Sequence, residues 1–580
     1  MEKMEESVWM NDTNNRNSGQ DNIQENSRPR TSPASPVPPT HQTWPGLSTS
    51  PPVSPIPSAS AETEETKRMK ENFGFIAPLA FGYAVLYAFC MYRNGSGVTF
   101  PFFVAGSLLF FFLSFARLGI TVKKGSGFYM AAMLLLGIST FCTDDGFLIF
   151  FNKLGVFLLL MSLLLRQCFH TSEWRLGKYL GSICILIFAS VGELGRPFTD
   201  GATYRNGKGK KVDKRVWYAG LGLLAAIPLF LVVLLLLASA DAVFRQMTAR
   251  LMQSISLGGI INVIFRITVL FFAAYAVTAY LCKKRIREEV TDMRKGEPIL
   301  AITVTGLLTL LYLLFSGIQI AGLFFGSLRL PEGYTYAMYA REGFFQLLAV
   351  SLLNLVIVLC CMEFFRESKV LKVVLTLMSL CTFVMIASSA VRMIMYIRYY
   401  YLTYLRILVL WALVLLTFLF VGVVMNIFNE KFPLFRYQVV VVAALYLTLS
   451  FAHPDYWIAK VNVANAPQQD GMAYNSFFLA KEPYQDFSYL RRLCADAAPV
   501  LVPYLEGLGY DMEAFYAEDA VQYAVDTSAW GSDSGNSRYE QMGFGYYWMR
   551  KMQQSTKNIG IRTYNVSRHV TLMKFRDCRE

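Results

Sequence analysis

Histidine, catalytic signatures and charge are all scarce in this chain. The four His (His41, His170, His453, His569) are too dispersed for a His-based metal or acid/base site. No P-loop, GxSxG, HExxH or DxD pair occurs, which removes the standard catalytic motifs. The ten Cys never fall into a CxxC pair, and most of them lie inside or beside apolar runs, so they read as small buried hydrophobes. Only 16% of the 580 residues are charged while 54% are hydrophobic, outside the balance of an ordinary soluble domain. The net charge of +13 does not indicate a nucleic-acid partner, because the Lys and Arg sit in short loops beside apolar runs, where they set membrane orientation.

What is abundant is long apolar sequence. Twelve candidate membrane segments fall at 73–92, 98–118, 128–142, 147–165, 179–191, 216–240, 260–282, 298–326, 344–365, 370–397, 404–428 and 437–451. Backbone in hydrocarbon must satisfy its own hydrogen bonds, and these runs are continuous rather than alternating, so they predict helices and not barrel strands. The lipid bilayer is therefore the first partner. Residues 241–256 place Val243, Met247, Leu251 and Ile255 four apart, as in an amphipathic interfacial helix.

Basic residues near segment ends orient the bundle. The loops 196–215, 283–297, 363–372 and 429–436, the flank Lys67, Arg68 and Lys70, and the loops around Lys123 and Arg166 all ask for the cytoplasmic side. Parity fails at 179–191, whose two flanks want the same face. Either that run is re-entrant, giving eleven spans and an external C-terminus, or it crosses, giving twelve and a cytoplasmic one.

The expected organisation is a disordered Pro/Ser-rich tail over 1–70 that reads as a passive tether, a polytopic bundle over 71–458 and a soluble C-terminal domain over 459–580. The tail reads as cytoplasmic. Leu490, Leu493, Ala497 and Leu501 share a helical face that Pro499 and Pro503 interrupt, predicting two short helices; 511–527 predicts another, and 531–536 a loop. The fold class is all-α: eleven or twelve membrane helices plus a small, mainly helical C-terminal domain.

Two stretches hold the richest polar chemistry, 331–347 (PEGYTYAMYAREGFFQL) and 391–406 (VRMIMYIRYYYLTYLR). Two spans separate them, so they emerge on one face. Glu342 with Arg392 or Arg406 would make a charge-assisted pair, and Tyr339, Arg341, Tyr396 and Thr403 would complete a polar pocket suited to an anionic group such as a lipid headgroup. The bland alternative is an aromatic belt with snorkelling Arg and one structural ion pair. Asn354, mid-span, suits helix stitching as well as ligand binding. No cofactor or metal is indicated.

At the same stretches the chain resembles a family of polytopic bacterial membrane proteins catalogued only as a domain of unknown function. The matching runs are YAREGFFQLL (339–348) followed by Asn354, then Arg392, Tyr396 and YLTYLR (401–406), AKVNVAN (459–465), DFSYLRRLCADAAPVL (486–501) and RTYNVSRHV (562–570). The resemblance implies the architecture and no activity. The leading functional expectation is a non-enzymatic regulatory, sensory or assembly component of the envelope, with a protein partner engaged through the C-terminal domain. The alternative is a transporter or lipid-handling protein using the Glu342, Arg392 and Arg406 region. A transferase built on carboxylates such as Asp144, Asp145, Glu332 or Glu342 is the third class.

Overall fold

The computed structural model describes residues 62–171, 174, 176–207, 257–286, 288, 294–324, 343–465, 487–516, 537–557 and 559–579, with scattered positions between 226 and 241. Among the described residues the chain is all-helical, with one isolated bridge between Gly296 and Phe365. The helices of the bundle are α1 (Glu64–Glu71), α2 (Phe73–Met91), α3 (Thr99–Leu118), α4 (Ser126–Cys142), α5 (Gly146–Cys168), α6 (Leu176–Val191), α7 (Arg196–Gly207), α8 (Leu257–Cys282) and α9 (Pro298–Gln319). They continue with α10 (Phe344–Phe364), α11 (Lys369–Tyr400), α12 (Tyr404–Phe428) and α13 (Leu434–Phe451). After the bundle come α14 (Pro454–Ala464), α15 (Phe487–Leu490), α16 (Ala498–Gly507), α17 (Ser537–Thr556) and α18 (Val566–Asp577). Nine of the described helices are long and apolar enough to cross a membrane, which makes this a multi-pass membrane protein. Apart from those scattered positions, the expected span 216–240 and the interfacial helix 241–256 lie outside the described residues, as do the loop 531–536 and the tail up to 61.

Burial in the spans follows membrane rules. In α9 the buried stripe is Ala301, Thr305, Thr309, Tyr312, Ser316 and Gln319, while Leu307, Leu310 and Leu314 are largely exposed. Small and polar residues face the other helices and large apolar ones face lipid. The Thr hydroxyls are satisfied within the helix, Thr305 and Thr309 each donating to the carbonyl four residues back at 2.6 Å.

Contacts between segment ends define two faces. Thr63 donates to the Cys282 carbonyl at 2.6 Å, Glu65 pairs with Lys284 at 2.6 Å, and Arg68 reaches the Leu118 carbonyl. Lys123 bonds Gln167 and Phe169, Trp174 donates to the Glu288 carbonyl, and Lys372 pairs with Glu430. The start of α2, α4, α11 and α13 and the end of α3, α5, α8, α10 and α12 therefore share one face, which collects the basic loops. The opposite face carries α14 to α18.

α6 does not cross between them. Trp174, just before it, bonds Glu288, and Glu193, just after it, pairs with Lys283 and Arg196. Lys283 and Glu288 are five chain steps apart, at most about 18 Å, and both follow the end of α8. Both ends of α6 are thus tied to the basic face, with a 63° bend before α7. α7 then lies along that face, where Asp200 accepts from Tyr275 at 3.0 Å and Tyr204 packs on Phe73.

The buried apolar residues form separate cores. One joins α1 to α3, α5, α6 and α8 through Met69, Ile76, Phe110, Leu164, Leu186 and Tyr275. A second joins α9 to α12 through Tyr312, Val358, Met378 and Phe420. α13 runs between the two groups: Trp411 of α12 donates to the Leu445 carbonyl at 2.9 Å, and on the other side Ser450 and Tyr446 donate to Asn152 of α5 at 2.7 and 2.8 Å. The C-terminal helices have their own core around Trp548, Leu501 and Phe575, which also takes in Ile458 of α14 and Leu402, Tyr404 and Ile407 at the start of α12. Pro499 occupies the first turn of α16, as expected of a residue without an N–H. Pro503 sits inside α16 instead of ending it, a correction to the sequence reading: the helix is short enough that one lost bond leaves its buried face intact.

Candidate functional site

The three residues between α4 and α5, Thr143, Asp144 and Asp145, meet residues more than three hundred positions away. Thr143 donates its hydroxyl to Asp496 at 2.6 Å, and the Asp144 N–H donates to the same carboxylate at 3.0 Å. Arg568 of α18 pairs with Asp144 at 2.6 Å, both side chains mostly buried. His453, between α13 and α14, places Nδ1 3.0 Å from Asp496 and holds a left-handed backbone with φ 48°. Asp455 accepts the Cys494 N–H at 2.7 Å. Asn565 caps α18 and sends its amide to the carbonyls of Ser96 (3.1 Å) and Thr143 (2.9 Å).

The loop between α2 and α3 completes the junction. Val98 donates to the Tyr564 carbonyl at 2.8 Å, and Asn94 to that of Arg562 at 3.0 Å. A Cβ on Gly97 would stand 2.5 Å from the Arg562 carbonyl, so the approach requires glycine. On the other helix group, Leu402 exchanges hydrogen bonds with Asn462 at 3.0 Å, and the Tyr404 N–H donates to Tyr489 at 2.7 Å. The C-terminal domain is thus fastened to both helix groups at once.

Four carboxylates crowd this junction, and burial penalises their charge. Burial pushes the Asp455 carboxyl up to about 6, against the Cys494 N–H and helped by Asp145 and Asp496 nearby. It also raises Asp144 and Asp145, with Arg568 opposing it at the first and Tyr404 and the Phe147 N–H at the second. At Asp496 burial works the same way, but the hydrogen bonds from His453 and Thr143 override it and hold the carboxyl below its ordinary range. The bond to Asp496 in turn raises His453 despite its burial. Tyr404 lies beside Asp145 off hydrogen-bonding geometry, leaving its hydroxyl and Oδ2 of Asp145 buried and unpaired among the described residues. No group of three or more His, Cys, Asp or Glu suited to a metal ion occurs among the described residues. The chemistry the junction offers is proton binding.

Of the residues singled out in the sequence, Arg392, Tyr396, Thr403 and Arg406 lie elsewhere on the same face. Tyr339, Arg341 and Glu342 are outside the described residues. Arg392 donates to Gln319 at 3.2 Å, where Ser388 also donates at 2.7 Å. Tyr396 stacks on Phe344, and the Arg406 guanidinium lies 4.3 Å from the Tyr396 ring centroid while bonding the Tyr400 and Tyr401 carbonyls at the end of α11. Thr403 precedes α12 without a side-chain cap. Asn354 stands apart, deep in the bundle, donating to Thr382 at 3.0 Å. Arg392, Tyr396 and Arg406 are therefore neighbours, and Arg406 serves as the helix cap. His453, Asp455, Asp496, Asn565 and Arg568 were not singled out, although Asp496, Asn565 and Arg568 lie within the runs 486–501 and 562–570.

The chain belongs to the family described as Domain of unknown function (DUF4153), whose model matches residues 130–504. That span contains Thr143, Asp144, Asp145, His453, Asp455 and Asp496 and stops short of Asn565 and Arg568. No curated protein and no solved structure matches the chain.

Proposed function

We propose that this protein is a regulatory or sensory component of the cell envelope, in which an external C-terminal domain holds the two helix groups of the bundle in register and responds to conditions on its own side of the membrane. The observation that carries this reading is the junction itself. A domain hung on a flexible tether would not send Asp496, Asn565 and Arg568 into a three-residue loop of the bundle.

The sidedness follows from charge. The basic face carries Lys123, Lys124, Arg166, Arg196, Lys283, Lys284, Arg294 and Lys431, and such loops stay in the cytoplasm. With α6 turning back to that face, the parity conflict disappears, which supports an external C-terminal domain. The test is affinity isolation of the full-length chain from membranes, beside R568A. A regulatory role predicts a stably bound protein that R568A loses while still inserting; an identical set of bound proteins for both chains would contradict it.

A further inference from the structure

The two helix groups leave a cavity of about 520 Å³ at the basic face, between the start of α6, the ends of α10 and α12 and the start of α13. We propose that it binds the phosphate headgroup of an anionic phospholipid from the leaflet on that face.

Three features converge on an anion. α13 begins after Pro433, which has no side-chain acceptor; the Leu434 N–H turns back to the Phe432 carbonyl at 2.8 Å, and the next N–H groups, of Phe435 and Arg436, stand at the cavity wall without a cap. Gln438, 8% exposed, lines the cavity and makes no hydrogen bond among the described residues. Arg166, on the opposite wall, donates from one Nη to the Lys124 carbonyl at 2.6 Å and keeps its charge at the cavity, and Arg436 has no acidic partner among the described residues. Of the two carboxylates on the wall, Glu430 is neutralised by Lys372 at 2.5 Å, and Glu363 has a partner of its own. The Gln438 amide and the two guanidinium groups are donors that an anionic ligand in the cavity would satisfy.

The mouth selects lipid over free phosphate. Leu180 is 52% exposed and Phe364 43%, and Cys360 beside them is exposed. These residues belong to apolar helices, so the opening faces acyl chains while the cationic floor lies at headgroup depth. A phosphodiester with two chains fits that gradient, and a hydrated inorganic anion does not.

The test uses the full-length protein in nanodiscs of phosphatidylcholine doped with phosphatidylglycerol, scored by native mass spectrometry for lipid retained after detergent release. Retention of phosphatidylglycerol over phosphatidylcholine is expected, with a loss of at least about tenfold in R166Q/R436Q, since each basic side chain near an anionic headgroup contributes on the order of 1 kcal/mol. Q438L, which removes no charge, should weaken retention while leaving the fold intact, and K574Q on the opposite face should not. Equal retention of the two lipids, or unchanged preference in both cavity variants, overturns the proposal. Displacement of the lipid by millimolar inorganic phosphate would overturn the lipid assignment in favour of a free anion.

Discussion

Removing Arg568 would leave Asp144, whose side chain is only 8% exposed, as a charge without its counter-ion. Breaking a buried pair from one side typically costs ~3 kcal/mol. R568A should therefore lower the melting temperature of the purified protein and admit protease between α14 and α18 well before the bundle unfolds. Gly343 gives a second residue-scale expectation. Its φ is 98°, and an added Cβ would stand 2.7 Å from Arg392 Nη1. G343A should cost about 1–2 kcal/mol from backbone strain alone, read as a lower unfolding midpoint in detergent. Protonation works on the same scale. Asp455 has a raised carboxyl, about 6, so its contribution is complete below its unfolded value and is lost as pH rises through about 6. His453 is raised too and loses its contribution at higher pH, whereas Asp496, lowered, loses its own only in stronger acid. Hydrogen exchange at the Val98 and Cys494 amides, corrected for intrinsic rates, should be slower near pH 5 than near pH 8, and D455N should flatten the acidic part of that change.

Among the helices, α13 depends on few polar links. Asn152 accepts from both Ser450 and Tyr446, and N152A should weaken the contact between α5 and α13 by about 1 kcal/mol, measurable in an unfolding titration, because hydrogen bonds in membrane bundles contribute modestly. Element identity was largely legible in the sequence, since a continuous apolar run long enough to span has few alternatives to a helix. α6 shows where the signal ended. Its flanking basic residues said that both ends share a face, but the apolar run was also compatible with crossing, and only the contacts of Trp174 and Glu193 with the segment after α8 decide the matter. α17 and α18 went unread because they are polar, short on periodicity and held by packing around Trp548 and Phe575. The junction was illegible for a different reason. Thr143 and Asp496 are 353 residues apart, so their hydrogen bond leaves no local pattern, and a TDDG turn between two spans looks like an ordinary polar connection.

Across the whole molecule the two helix groups meet along a seam that has unlike ends. At the basic face the seam opens into the cavity between α6 and α13; at the other it is bridged by the C-terminal domain through Asp144, Asp496 and Arg568 on one group and Leu402 and Tyr404 on the other. Any change in the spacing of the groups must therefore alter both ends, which is the physical basis of the proposed regulatory role. The central claim is that these ends lie on opposite sides of the membrane, the C-terminal domain outside. In a cysteine-free background, single cysteines at Lys431 and Glu580 should be probed with an impermeant maleimide on intact cells. The account predicts labelling of E580C without permeabilisation and of K431C only after it; labelling of both positions under the same condition would contradict it.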